Sequence, residues 1–190
     1  MAVGYDQIIA AAIQHLNQDP GASMGELAEA AGVSRATLHR HFSGREELLL
    51  ALGHHALDRW EAAQQSAGIR EAARSAEPAV IITALREMLT GLIDDAEEYS
   101  FALADLTLSM PALRERSDAL EEREITLYQA AQRAGVLRAD LPARWISNTV
   151  YGLLLAVRES LHQGSVARRD LPWLVHETFF NGAGVAGGTR

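Results

Sequence analysis

A short basic segment lies within a chain that is acidic overall. Residues 34–45 read Ser-Arg-Ala-Thr-Leu-His-Arg-His-Phe-Ser-Gly-Arg and contain no acidic residue, whereas the whole chain of 190 residues has a formal net charge of −8. Arginine donates paired hydrogen bonds to guanine O6 and N7, and it also binds phosphate oxygens. The segment therefore favours contact with duplex DNA through a small patch, against an unfavourable overall charge.

Capping residues and a glycine turn predict the elements that position this segment. Ser23 begins one helix in a capping box with Glu26. Gly32 supplies the left-handed conformation that the following turn requires. Ser34 caps a second short helix, which ends near Phe42. Two short helices joined by such a turn are typical of a helix–turn–helix.

The second of these helices has an inward face at Leu38 and an outward face on the opposite side. We expect Arg40 to read a base edge. Arg45 lies in the first turn of the next helix, which a second capping box of Ser43 and Glu46 is predicted to open, and we expect it to bind phosphate. The N-termini of helices 2 and 4 are also expected to hold phosphates. The predicted DNA-binding residues are Ser23, Ser34, Arg35, Ala36, Thr37, His39, Arg40 and Arg45.

Helical spacing of apolar residues runs through the whole chain, and the alternation typical of strands is absent. The pattern predicts an all-α fold of about nine helices, with separate helices at 78–94 and 97–109 and with predicted helices 8 and 9 opening near residues 142 and 171. We expect a helix–turn–helix domain at 1–47, a second helical domain at 48–182 and a glycine-rich, disordered tail at 183–190.

The stretch from Glu26 to Leu48 resembles the signature of the tetracycline-repressor (TetR) family. Its position after one amphipathic helix, the chain length and the loop at 134–142 are also similar to that family. The resemblance implies a DNA-binding transcriptional regulator whose C-terminal domain binds a ligand and forms a dimer. The family usually has glycine at Ala36, tyrosine at His39 and lysine at Arg45, and both His39 and Arg45 still donate hydrogen bonds to phosphate.

Large apolar residues of the C-terminal domain are candidates for the ligand site that the resemblance implies, since such sites are mostly apolar with a few polar groups. Each is also compatible with an ordinary core position. Asp105 and Asn148 are the polar candidates, and Asp105 is equally compatible with an exposed helix face. The predicted ligand-binding residues are Trp60, Met88, Leu92, Phe101, Asp105, Tyr128, Trp145, Asn148 and Tyr151. The effector is expected to be small and largely apolar.

The apolar character of residues 150–157 and 171–179 predicts a homodimer held by helices 8 and 9. The longest apolar run, 150–157, is far shorter than the ~20 residues that span a bilayer, and no secretory signal is visible, so we expect a cytoplasmic protein.

No enzyme, cofactor or metal site is expected. The chain has no cysteine, which excludes thiolate chemistry. Gly182, Gly184 and Gly187 fit a dinucleotide-binding pattern, but no strand precedes them. His39 and His41 point apart on one helix, and His54 and His55 also diverge. Catalytic residues are therefore predicted to be absent.

Three functions remain open from the sequence. The first is a repressor released from a palindromic operator by a small-molecule effector. The second is a helical DNA-binding activator or architectural protein without a ligand. The third is an interaction module that no longer binds DNA, which the acidic net charge favours. Salt-dependent binding to a palindrome separates the third from the others, and loss of that binding with an effector separates the first from the second.

Overall fold

The computed structural model describes the backbone of residues 4–185 and the side chains of residues 4–96 and 110–185. Within this range the chain is all-α, as predicted, with one isolated β-bridge. Among the described residues, no helix combines the length and apolarity that crossing a membrane requires. The helices are α1 Tyr5–Gln18, α2 Met24–Ala30, α3 Arg35–His41, α4 Arg45–Ser66, α5 Ile69–Ala72, α6 Pro78–Ser109, α7 Pro111–Arg133, α8 Ala143–His162 and α9 Leu171–Ala183.

The helix α6 runs unbroken over 32 residues, so the expected separation into helices at 78–94 and 97–109 is wrong. No glycine or proline lies between Asp94 and Glu97, and the backbone therefore has no local reason to leave the helical conformation. Pro111 ends α6 instead, because a proline disfavours the helical conformation of the residue before it.

The short helix α5 was not expected from the sequence. Gly68 precedes it with φ of 61°, a left-handed conformation that glycine adopts without strain. The chain therefore turns after Ser66 and resumes a single helical turn that buries Ile69 and Ala72. A 3-10 turn at Arg168–Asp170 similarly precedes α9.

The first of two compact units consists of Met1–Arg59 and Glu98–Ser117. The first half of α4 contributes Leu48 and Leu52 to its buried core, so this unit extends past the expected boundary at residue 47. Gly53 of α4 leaves room for the buried side chain of Leu113, which a Cβ atom at position 53 would overlap. The core of this unit includes Ile8, Ile9, Ile13, Leu16, Leu27, Leu38, Leu48, Leu52 and Leu57.

The second compact unit consists of Trp60–Glu97 and Asp118–Arg190. Its core is apolar, with the rings of Tyr128 and Phe179 6.4 Å apart. The core draws on α6 through α9 and includes Leu85, Met88, Leu89, Leu92, Leu127, Tyr128, Ile146, Val150, Val175, Phe179 and Phe180.

The start of the expected disordered tail is fastened to the loop after α7. The N–H of Arg138 donates to the carbonyl of Ala183 at 2.8 Å, and the N–H of Val185 donates to the carbonyl of Val136 at 3.1 Å. Gly184 pairs with Leu137 between them. Residues 183–185 are thus held by backbone hydrogen bonds, and residues 186–190 lie outside the described part of the chain.

Candidate functional site

The outward face of α3 carries the exposed hydrogen-bond donors that the sequence predicted. Arg35, His39 and Arg40 are exposed, as is Ala36, while Leu38 is fully buried in the first unit. Ala36, His39 and Arg40 lie one or two positions from Leu38 and point away from the core, because successive residues are about 100° apart on a helix. The first turn of α3 contains no acidic residue. This face therefore presents hydrogen-bond donors to solvent with no neighbouring carboxylate from its own helix.

The predicted cap of α3 is confirmed and is linked to Arg40. The N–H of Thr37 donates to Ser34 Oγ at 3.1 Å, and the two hydroxyl oxygens lie 2.9 Å apart. A guanidinium N–H of Arg40 donates to Thr37 Oγ1 at 3.3 Å. Because arginine has five N–H donors in a planar fork, one such bond orients the group and leaves its remaining donors for a ligand.

The guanidinium of Arg45, which the sequence predicted to bind phosphate, is hydrogen-bonded to two backbone carbonyls. Its Nη1 donates to the carbonyl of Ala22, and its Nη2 donates to the carbonyl of Pro20 at 2.7 Å. These carbonyls belong to the turn before α2. Carbonyls in a turn have no helical partner, and a charged donor satisfies them well. Arg45 therefore fastens the start of α4 to this turn.

Acidic side chains lie over the starts of α2 and α4. The N–H of Ser23 donates to Glu26 at 2.7 Å, and this capping box is confirmed. The N–H of Ser43 donates to Glu47 Oε2 at 2.6 Å, so the partner is Glu47 rather than the predicted Glu46. Hydrogen bonds from these serines lower the pKa of both carboxyls, so the negative form is favoured. These carboxylates disfavour the phosphate contacts expected at the two helix N-termini.

A buried carboxylate that sequence reasoning missed lies in the second unit. Glu124 of α7 is only 3% exposed. Its Oε1 accepts from the indole Nε1–H of Trp60 at 2.5 Å and from Gln64 Nε2 at 2.9 Å, and its Oε2 accepts from the hydroxyl of Tyr128 at 3.1 Å. We call these four residues the buried polar cluster. Two of them, Trp60 and Tyr128, belong to the predicted ligand-binding set.

Burial controls the protonation of this cluster. It raises the pKa of Glu124 because the ionised form loses its hydration, and the three hydrogen bonds oppose that effect. The pKa of Tyr128 is raised well above its ordinary value, first by burial and then by the charge of Glu124. Tyr128 therefore stays neutral and keeps its hydroxyl hydrogen for Glu124.

Gln64 is the least satisfied member of the cluster. It is 1% exposed, and its Nε2 donates to the carbonyl of Leu120 at 3.0 Å as well as to Glu124. Its Oε1 is buried and has no hydrogen-bond partner. Reversing the amide would point this oxygen at two other acceptors, so the neighbours fix its orientation.

The predicted ligand-binding residues fall into three groups according to where the structure places them. Met88, Leu92 and Tyr128 are buried in the core of the second unit, and Trp60 packs against that core. The side chains of Phe101 and Asp105 lie outside the described residues. Trp145, Asn148 and Tyr151 are exposed on α8, with Trp145 61% exposed and Tyr151 49% exposed. The structure therefore does not bring these three α8 residues to the buried polar cluster. The sequence predicted that they enclose a ligand, whereas in the single chain they are exposed to solvent.

One signal in the sequence marks Glu124. The apolar stripe of α7 includes Leu120, Leu127 and Tyr128, and Glu124 lies four residues from the first and the last of these. Residues four apart share a helix face, so a carboxylate on this stripe points into the core. The surrounding run of Glu121, Glu122 and Arg123 makes the position look like part of an ordinary charged surface.

Comparison with known sequences matches an N-terminal segment of the chain, about a quarter of its length, to one family. Residues 8–52 match the family described as bacterial regulatory proteins, tetR family. The HTH-type transcriptional repressor LfrR of Mycolicibacterium smegmatis is 30% identical over 158 residues, which cover 83% of this chain and 78% of LfrR.

Two solved structures are similar in fold to this chain over more than nine tenths of its length. LfrR from Mycobacterium smegmatis in complex with proflavine has a TM-score of 0.73 at 26% identity and covers 93% of this chain and 94% of its own. AibR in complex with isovaleryl coenzyme A and operator DNA has a TM-score of 0.72 at 16% identity and covers 92% of this chain and 96% of its own. At that identity the likeness to AibR shows the fold alone.

The buried carboxylate predicts a distinctive pH dependence of stability. Because the folded-state pKa of Glu124 is raised above the ordinary 4.5, its ionisation destabilises the folded state as pH rises through and above that value. Replacing Glu124 with Gln should therefore raise the free energy of unfolding relative to wild type as pH increases, up to a plateau. Urea unfolding followed by circular dichroism from about pH 4 to about pH 8 measures this difference.

Glu26→Gln is the matched control with the opposite sign. The pKa of Glu26 is lowered in the folded state, so its ionised form stabilises the fold above the ordinary pKa and this contribution is lost as pH falls. The Glu26→Gln variant should accordingly lose stability relative to wild type as pH rises. A pH-independent difference for Glu124→Gln would contradict the account of its burial.

Proposed function

Because the chain belongs to the TetR family of bacterial regulatory proteins, we propose that it is a transcriptional repressor that leaves a palindromic operator when a small-molecule effector binds. The observation that carries the DNA-binding part is the exposed, acid-free face of α3 in a chain with net charge −8. Arg40 reads a base edge in the major groove, and Arg35 and His39 contact phosphates beside it.

Arg45 has a positioning role in this proposal. Its guanidinium holds the start of α4 to the turn before α2, and that turn leads into the helix–turn–helix. Ser23 and Ser34 fix the helix starts by capping. Binding of the operator thus depends on Arg45 through the placement of α2 and α3.

The proposed dimer uses α8 and α9. Four large apolar side chains on these helices are exposed in the single chain: Trp145 at 61%, Tyr151 at 49%, Leu155 at 36% and Trp173 at 63%. Exposed aromatic residues are enriched at protein interfaces. A two-fold dimer places two α3 helices on successive half-sites of a palindrome.

The effector is proposed to bind in the second unit, where Trp60, Met88, Leu92 and Tyr128 lie in or against the apolar core. A ligand releases DNA only if it binds more tightly to the form of the dimer whose reading helices are wrongly spaced. The structure of the relative LfrR contains proflavine, which makes that compound the first one to test.

Base reading by Arg40 is tested on duplexes that the protein selects from a random library. Arg40→Ala should weaken binding to the selected operator by roughly 1–3 kcal/mol and relax the preference at one base position. Fluorescence anisotropy against a panel of single-base variants measures both effects. Arg133→Ala, which removes an exposed cation from the second unit, is the control and should leave both unchanged.

Arg45→Ala should weaken binding to all duplexes in equal proportion and lower the melting temperature as well, because it loosens the turn before α2.

For the Arg40→Ala variant, an unchanged base preference would contradict the assignment of Arg40 as the base reader.

The dimer is tested by a charge on its proposed face. Wild type should scatter light as a particle of about twice the 20.6 kDa chain mass. Leu155→Glu should yield single chains, because an interface cannot bury the new carboxylate without a partner. The control is Val80→Glu, which replaces a side chain of similar exposure (42%) on α6 and should remain dimeric. A wild-type particle of one chain at micromolar concentration would refute the dimer.

Release by an effector is tested with proflavine and then with a panel of aromatic cations and neutral aromatics. An effector should lower operator affinity and change both the melting temperature and the tryptophan fluorescence of the protein. The same duplex bound to an unrelated helix–turn–helix protein controls for binding of the dye to DNA. If no compound alters any of the three quantities, the ligand-free activator or architectural function is favoured instead.

A further inference from the structure

The buried polar cluster has more acceptors than donors. Its uncharged donors are the Trp60 indole N–H, the amide group of Gln64 and the Tyr128 hydroxyl, and each already donates to Glu124. The second hydrogen bond of the Gln64 amide goes to the Leu120 carbonyl. Gln64 Oε1 still has no donor, and Glu124 Oε2 accepts from Tyr128 while a carboxylate oxygen can accept more than one bond.

Among the described side chains of the cluster, none that donates to the Glu124 carboxylate is positively charged. The three groups hydrogen-bonded to Glu124 are uncharged, and the charge that acts on it through space is that of Glu121, which is also negative. A buried carboxylate without a countercharge is costly. Protonation removes this cost when Glu124 is neutral, and a positively charged donor would offset it when Glu124 is ionised.

Aromatic rings also lie next to these acceptors. The indole of Trp60 packs against the core of the second unit, and the Tyr128 ring is fully buried, with Phe179 6.4 Å away. Aromatic rings attract a cation over their faces and stack on flat ligands. Acceptors and aromatic rings together are the chemistry that recognises an aromatic cation.

We infer that Glu124 and Gln64 are the polar anchor of the effector site, and that the effector is an aromatic organic cation with N–H donors. One N–H of the cation donates to Glu124 and another to Gln64 Oε1, while its ring contacts Trp60 and Tyr128. This inference rests on the proposed effector response and specifies its chemistry. It also assigns the anchor to Glu124 rather than to Asp105 or Asn148.

The cation is tested with two probes of nearly equal shape, 2-naphthamidinium and the neutral 2-naphthamide, by isothermal titration calorimetry on the full chain without DNA. Wild type should bind the amidinium about tenfold or more tightly than the amide, because a charged hydrogen bond to a buried carboxylate replaces a neutral one. Glu124→Gln should reduce the preference to about one, and Gln64→Met should weaken binding of the amidinium.

The control is Glu87→Gln, which neutralises an exposed carboxylate of α6 and should keep the wild-type preference. Circular dichroism melting checks that each variant is folded. If Glu124→Gln does not fold, the preference of wild type and the loss in Gln64→Met decide the question. Equal affinity for the two probes, no binding of either at millimolar concentration, or a preference that survives in Glu124→Gln would overturn the inference.

A second measurement separates this inference from the proposed function. Operator affinity is measured with and without saturating 2-naphthamidinium. If the probe binds with the Glu124-dependent preference but leaves operator affinity unchanged, the anchor stands and the proposed release fails. If another compound releases the operator but cation preference is absent, the proposed release stands and the anchor is refuted.

Discussion

A helix of seven residues is not stable by itself in water, and the proposed DNA-reading surface depends on this constraint. Nucleating so short a helix costs more than its few hydrogen bonds return. α3 is formed because Leu38 is fully buried and Ser34 caps its first turn. Arg35 and Arg40 are exposed on this helix and belong to the proposed DNA-reading surface. In the proposed function, packing and recognition are thus assigned to different faces of one helix.

The chain as a whole is acidic, but the segment at residues 34–45, which contains α3, has no acidic residue. The net charge of −8 opposes association with DNA at long range, so the proposed binding through α3 relies on close contacts rather than on a broad basic surface. Carboxylates at the starts of α2 and α4, Glu26 and Glu47, strengthen those helices by accepting backbone hydrogen bonds. The same carboxylates disfavour phosphate binding at those two helix starts, and α3 is the surface to which the proposed recognition is assigned.

The second unit pairs an apolar core with one buried polar cluster. A core built only from residues such as Leu85, Leu89 and Val150 gains stability from burial alone. Glu124 works against that gain, and its hydrogen bonds with Trp60 and Tyr128 reduce the cost without supplying a countercharge. A group that lowers stability and is held in place by three partners is typical of a functional site. α4 supplies Trp60 and Gln64 to the cluster and Leu48 and Leu52 to the first unit, so one helix belongs to both.

Several features set by neighbours in the chain were determined by the sequence itself, although two other local features, a helix break at 94–97 and Glu46 as the partner of Ser43, were predicted wrongly. The Ser23 and Ser34 caps, the turn at Gly32 and the inward position of Leu38 each depend on residues within about one or two helical turns, and all were predictable. Features that join distant segments were decided only by the tertiary structure. Arg45 meets carbonyls 23 and 25 residues away, and Glu124 meets Trp60 across 64 residues. The chemistry of such groups can be read from the sequence, but their partners depend on how distant segments pack. Packing therefore determines that Arg45 binds a turn, that Trp145 is exposed and that Glu124 is buried.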